Sequence, residues 1–234
     1  MRKIPIILDT KSTEGAMTTQ YILMADIIDS REKDELIMMW QFKELVYNLN
    51  LKFGKKISSP LTITLGDEFQ GIITDLQSLI NIIFFIEEQT IKRSLIFKLR
   101  YVVSESDIDP LRINTYASYG MMSESLIETR SALNNSKKNK SRFLFLLKKM
   151  DNVKALKLSL LFSCYQAKID SWNIKDSNII KEYLNKNTDY KEIASRLHMY
   201  DSTIWKKLQR LDMDTYINLK TLIKLEFYEN SMHP

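Results

Sequence analysis

Apolar and polar positions change period along this chain, and each change marks the edge of an element. Tyr21 to Ala25 is an apolar strand that closes on the acidic turn Asp26-Ile27-Ile28-Asp29-Ser30. From about Arg31 to Phe53 the period is helical, with Leu36, Met39/Trp40, Val46, Leu49/Asn50 and Phe53 predicted on one face and Gly54 as the stop. Ser58-Ser59-Pro60 reads as a loop. Alternating residues on both sides of Gly66-Asp67 then read as a hairpin, Leu61 to Leu65 and Phe69 to Ile73. Beyond it the pattern predicts a helix from Asp75 to about Ile91 and a strand from Ser94 to Val103. A helix from Ser123 to Asn135, with Leu126, Ile127, Arg130 and Leu133 in step, and a closing strand from Arg142 to Leu147 follow.

The order β-α-β-β-α-β, with one more helix and strand, is the split βαβ or ferredoxin-like arrangement, an α+β class. That topology puts strand one between strands three and four, so Asp26 and Asp67 converge at one edge of the sheet. After Asp151 only helices are predicted. The first runs from Ala155 to about Ile169, with Leu156, Leu160, Ser163/Cys164 and Ala167 along its face, and Ser177 to Leu184 is the second. The last spans Asp212 to Tyr228, with Tyr216, Leu219, Ile223 and Phe227 in step. Three regions result: an extension at 1–17, an α+β domain at 18–150 and a small all-α domain at 151–234.

Between those helices lies a specific spacing. Ile193, Ala194 and Leu197 form one apolar face, His198 to Asp201 a turn, and a second helix capped by Asp201 or Ser202 buries Ile204 and Leu208. Small Ala194 permits the close crossing of a helix-turn-helix. Ser202, Thr203, Trp205, Lys206, Lys207 and Gln209 are the residues predicted to meet duplex DNA. His198 stands where a glycine is usual, so it must adopt a positive φ or change the turn. The alternative is a helical hairpin used for protein contacts.

Composition narrows the chemistry. The chain has 234 residues, 44% hydrophobic and 27% charged, enough for real cores. Its net charge of +5 permits a nucleic-acid partner without requiring one. Basic residues crowd Lys137 to Lys157, a phosphate-facing surface or a solvated seam. Cys164 has no disulfide partner and is expected as a small buried hydrophobe. Two distant histidines, His198 and His233, leave nothing for a zinc site or a Cys-His pair. No segment reaches the roughly 18 apolar residues of a membrane helix. The first sixteen residues do not read as a signal peptide, and Met17 is an alternative start. A cytoplasmic protein is expected.

The two acidic turns carry the candidate chemistry. Carboxylates forced together raise one another's pKa unless a cation lies between them. Mg²⁺ suits such a pair because it keeps water and substrate phosphates in its octahedral shell, and two ions can activate an attacking oxygen and steady a leaving one. The competing reading is two ordinary polar turns at a sheet edge.

On Ala25-Asp26-Ile27-Ile28-Asp29-Ser30-Arg31, on Thr62 to Gly71 and on the C-terminal helix pair preceded by Ser171-Trp172, the chain resembles the SatD family of bacterial proteins. More remotely, its N-terminal part is similar to the palm-like domain of class III nucleotidyl cyclases and diguanylate cyclases. That similarity implies metal contacts (Mg²⁺ or Mn²⁺) from Asp26, Asp67 and the carbonyl of Ile27. It implies nucleoside triphosphate contacts from Gly66, Glu68 and Arg130, and catalytic roles for Asp26, Asp67 and Arg130 if the domain turns over. Two departures stand out. Leu126 sits four before Arg130, where the cyclases carry Asn, and Val102-Val103-Ser104-Glu105-Ser106 has no glycine. The expectation is a DNA-binding regulator with a nucleotide- and Mg-binding palm-like sensor, and a homodimer. The alternative is an active nucleotidyl cyclase or nucleotidyltransferase regulated by its helical domain.

Overall fold

The computed structural model describes residues 17–109, 113, 118, 124–186 and 189–228. Residues 1–16, Ser123, His233 and the Phe227 side chain lie outside that set. The described chain is mixed α+β, a five-stranded sheet with eight α-helices. Its first part runs β1 (Thr18–Ile27), α1 (Glu35–Phe53), β2 (Ile57–Ile63), β3 (Glu68–Ile73), α2 (Leu76–Lys92), β4 (Leu99–Ile108), α3 (Glu124–Ser136) and β5 (Phe143–Leu146). The rest is helical: α4 (Asn152–Asp170), α5 (Ser177–Lys186), α6 (Tyr190–Leu197), α7 (Asp201–Leu211) and α8 (Met213–Tyr228).

Strand order across the sheet is β2-β3-β1-β4-β5. β1 runs antiparallel to both β3 and β4, and β5 is parallel to β4. Strand one thus lies between strands three and four, as the sequence pattern predicts. Alternation along the strands gives the sheet two unlike faces. Leu23, Ala25, Phe69, Tyr101 and Val103 face an apolar layer that includes α1, α2 and α4. On the other face Ile22, Met24 and Val102 meet Leu126 and Leu133 of α3 in a much smaller apolar cluster.

Several boundaries differ from the pattern. β1 extends through Asp26 and Ile27, so the first acidic residue is on a strand and not in its turn. Ser58-Ser59-Pro60 is strand, not loop. β2 is an edge strand with register shifts beside Ser59, the setting in which a sheet tolerates proline. β4 begins five residues later than predicted, at Leu99 instead of Ser94. Gly71 lets that edge close: a Cβ there would lie 2.6 Å from Leu61 Cδ2 and 3.1 Å from the Ser59 carbonyl oxygen.

Two helices depart from the predicted face: α4 buries the opposite side, and α1 keeps Val46 and Leu49 of its predicted face buried but not its start. α1 buries Met38, Phe42, Leu45, Val46 and Leu49 and leaves Leu36 and Trp40 exposed. The apolar run Leu36 to Trp40 surrounds the helix, so its period does not single out one side. α4 buries Leu158, Phe162, Tyr165 and Ile169, while Leu156, Leu160 and Cys164 are exposed. The larger aromatic stripe wins: Phe162 packs with its ring centroid 5.0 Å from that of Phe143 and 4.8 Å from that of Phe145, both rings tilted. Aromatic burial of that area outweighs the smaller side chains on the other side.

Candidate functional site

The polar end of the α3-covered face gathers most of the predicted site residues. Asp26 on β1 lies opposite Glu68 on β3 and Arg100 on β4, and Met24 lies opposite Gln70. Directly opposed residues share a face, so Asp26, Glu68, Gln70 and Arg100 form one patch. From α3, Arg130 donates to Glu68 Oε1 at 3.0 Å and to Gln70 Oε1 at 2.7 Å. Gln70 in turn donates to Ser118 at 3.2 Å. Lys137, at the end of α3, stands 3.8 Å from Asp26.

Asp67 reaches the same corner from the hairpin turn. Its backbone oxygen accepts from the Ile27 N–H at 2.9 Å, and its carboxylate accepts from Ser30 Oγ at 2.6 Å. The turn needs Gly66, whose φ of 85° lies in the left-handed region. The two acidic motifs therefore stitch together through the backbone, with three carboxylates (Asp26, Asp67, Glu68) at one corner of the sheet.

Arg100 is the residue the sequence reading missed. Its Nη1 lies 3.1 and 3.0 Å from the two oxygens of Asp26, with the guanidinium largely buried. The predicted strand Ser94 to Val103 includes Arg100, but the pattern does not give its register against β1, which sets Arg100 opposite Asp26. Alternation against Asp26 in the correct register was the signal. Burial pushes the Asp26 carboxyl above its usual value; Arg100 and Lys137 pull it back, and Asp67 and Glu68 add to the rise.

These pairings bear on the metal. Both Asp26 oxygens face Arg100, Glu68 Oε1 accepts from Arg130 and Thr64, and Asp67 accepts from Ser30. Among the described residues no three Asp, Glu, His or Cys side chains converge as a metal-holding group. The residues, in this arrangement, do not fit a lone resident divalent cation.

The predicted DNA-contact residues sit on α7. Ser202, Trp205, Lys206 and Gln209 are exposed, and Thr203 is half-buried. Beneath them Ile204 packs with Ile193 and Ala194 of α6 in the core. His198 does adopt a positive φ, 52°, at the end of α6. The start of α7 differs slightly: Tyr200 is its N-cap, and Asp201 is already helical. Lys207 is committed elsewhere, donating to buried Asp176 at 2.7 Å, beside Arg210 at 2.6 Å.

The basic run is also less free than its charge suggests. Arg142 is buried against Glu87, Lys148 pairs with Glu128, Lys149 with Asp107 and Lys157 with Glu226. No described helix is long and apolar enough to cross a membrane.

Comparison with known families places the chain. The family model described as SatD family matches residues 21–225, nearly all of the described structure. The chain belongs to the SatD family. No curated protein and no solved structure was found to match it.

Proposed function

From that membership we propose a DNA-binding regulator: α6, the turn at His198 and α7 act as a helix-turn-helix, and the α+β part is a palm-like sensor for a nucleotide. The observation that carries the first half is α7 itself. Its inward residue Ile204 is in the core, while Ser202, Trp205, Lys206 and Gln209 line one exposed face. An anchored helix with polar, aromatic and basic side chains outward is what a major groove accepts.

Support for the second half is the corner of the sheet. Arg100, Arg130 and Lys137 put three cations among three carboxylates. A triphosphate would recruit the cations, and Mg²⁺ or Mn²⁺ arriving with the phosphates would take their place at Asp26 and Asp67. Gly66, Glu68 and the Ile27 carbonyl border that position. The same convergence favours a second reading, an active nucleotidyl cyclase or nucleotidyltransferase. The Arg100 clasp on Asp26 counts for sensing over turnover, because it neutralises the carboxylate on which metal catalysis would depend. Two copies of the chain would let paired α7 helices read two half-sites.

Fluorescence anisotropy of the full chain on duplex DNA tests the first half. Affinity is expected to fall about tenfold or more as salt rises from low to physiological. Lys206→Ala should reduce the log–log salt slope by about one. Salt-independent binding, or none to any duplex, overturns the reading. Mass spectrometry of products after incubation with the four ribonucleoside triphosphates and Mg²⁺ or Mn²⁺ separates sensor from enzyme. Intact triphosphates favour the sensor. A cyclic or linked product that vanishes in Asp67→Asn makes the chain an enzyme.

A further inference from the structure

We infer that the cleft between the end of the sheet and the start of the helical region is a binding site for a small apolar amino acid, held as its zwitterion. The cleft has a volume of about 410 Å³, within the range of small-molecule sites. Its walls are apolar: Phe97, Ile91, Ile169, Ile180 and Trp172 line it. Its rim carries Asp29 and Lys33, which flank the short 3-10 turn Ser30–Glu32.

The charges select the ligand. Neither Asp29 nor Lys33 enters an ion pair among the described residues, and the Asp29 side chain does not cap the turn that it begins. The third charge on the rim, Lys98, is already held by Asp170 at 2.6 Å. One free carboxylate and one free ammonium beside an apolar cleft complement a molecule with an ammonium, a carboxylate and an apolar body. An amine or an acid alone answers only one of them. Asp29 is exposed and Lys33 half-buried, so these charge-assisted hydrogen bonds lie at the mouth of the cleft and fix the ligand's orientation, while the apolar walls supply the burial.

The cleft is also joined to α7. Trp172 lines it and donates Nε1–H to the carbonyl of Leu211, the last residue of α7, at 3.0 Å. Asp176, between the cleft residues Ile174 and Ser177, holds Lys207 and Arg210 of α7. An occupant that fixes Trp172 and the Ile174–Ser177 segment therefore fixes the support of α7. The consequence for DNA rests on the reading proposed above; the binding site does not.

Isothermal titration calorimetry of the full chain with L-phenylalanine, 3-phenylpropionate and phenethylamine tests the site. L-phenylalanine should bind once per chain, and each analogue should bind about tenfold more weakly. Lys33→Gln and Asp29→Asn should each weaken L-phenylalanine about tenfold; Asn tolerates the positive φ at position 29. Ser177→Phe, which fills the cleft, should abolish binding. Hydrogen exchange across 201–211 should slow with L-phenylalanine. Absence of heat at millimolar L-phenylalanine, or an analogue that binds as tightly, overturns the site. Binding without slower exchange overturns the coupling. Ligand binding by a chain that ignores DNA retains the site and removes the DNA reading; DNA binding without ligand binding does the reverse.

Discussion

At the scale of single residues, the strongest polar feature lies in the core and not at the candidate site. Arg142 donates to both oxygens of Glu87, at 3.0 and 2.9 Å, and to the Leu99 carbonyl at 2.8 Å. Tyr101 adds its hydroxyl to Glu87 at 2.6 Å. Burial works against the charge on Arg142, but the Glu87 carboxylate outweighs it and holds the guanidinium protonated. Burial, then the same carboxylate, pushes the Tyr101 hydroxyl well up. Removing one partner strands a buried charge, so Glu87→Leu should cost about 3–5 kcal/mol in urea unfolding. Glu87→Leu combined with Arg142→Met should recover much of that loss, because the desolvation burden goes with the pair. The sequence places Arg142 in a basic run and says nothing of this; only the pairing of β5 with β4 brings it under Glu87. Asp26 and Asp67 were legible, since strand order alone brings them to one corner; Glu68 and Arg130 were named only through the cyclase resemblance, and Arg130 arrives on α3.

Among elements, α7 is the one whose attachment can be titrated. Burial pushes the Asp176 carboxyl up, yet the Lys207 and Arg210 contacts together hold it below the usual carboxylate range. A depressed folded pKa means that the stabilisation is complete above the unfolded value, about 3.9, and is lost as pH falls through the folded one. Asp176→Asn should therefore cost about 1–2 kcal/mol at neutral pH, a figure reduced because Arg210 is largely exposed. The difference from the wild type should shrink below about pH 4 in urea titrations at each pH. Element type was largely legible from period, from the α2 N-cap at Asp75 to the αL residue His198. The buried face of α4 was not, and that of α1 was legible only at Val46 and Leu49. Both helices carry apolar residues on more than one side, and the choice between sides is made by what the sheet presents.

Across the whole molecule, the α+β part and the helical part share one apolar cluster. Its members run from Leu23 on β1 to Tyr216 and Ile223 on α8. Tyr216 lies with its ring centroid 5.9 Å from that of Tyr165 and 5.0 Å from that of Trp172, and it donates to Glu88 of α2 at 3.0 Å. Lys220 reaches the same carboxylate. Burial, with Tyr165 and Glu88 nearby, pushes the Tyr216 hydroxyl far above its usual value, so it stays a donor. A composition shift at Asp151 marks where strands give way to helices, but the packing runs across it. Differential scanning calorimetry should accordingly show one transition, with equal calorimetric and van't Hoff enthalpies. Two resolved transitions would mean that the shared cluster does not couple the parts.

The Arg100 clasp on Asp26 also sets a threshold. On the nucleotide-sensing proposal, an incoming cation or phosphate would first have to open a contact that the free protein already makes, so apparent affinity would be scaled down by the fraction of molecules in which the clasp is open. Every 1.4 kcal/mol or so that the clasp is worth raises the concentration for half-occupancy about tenfold. If the corner is a sensor, it would be deaf to trace ligands and tuned to abundant ones.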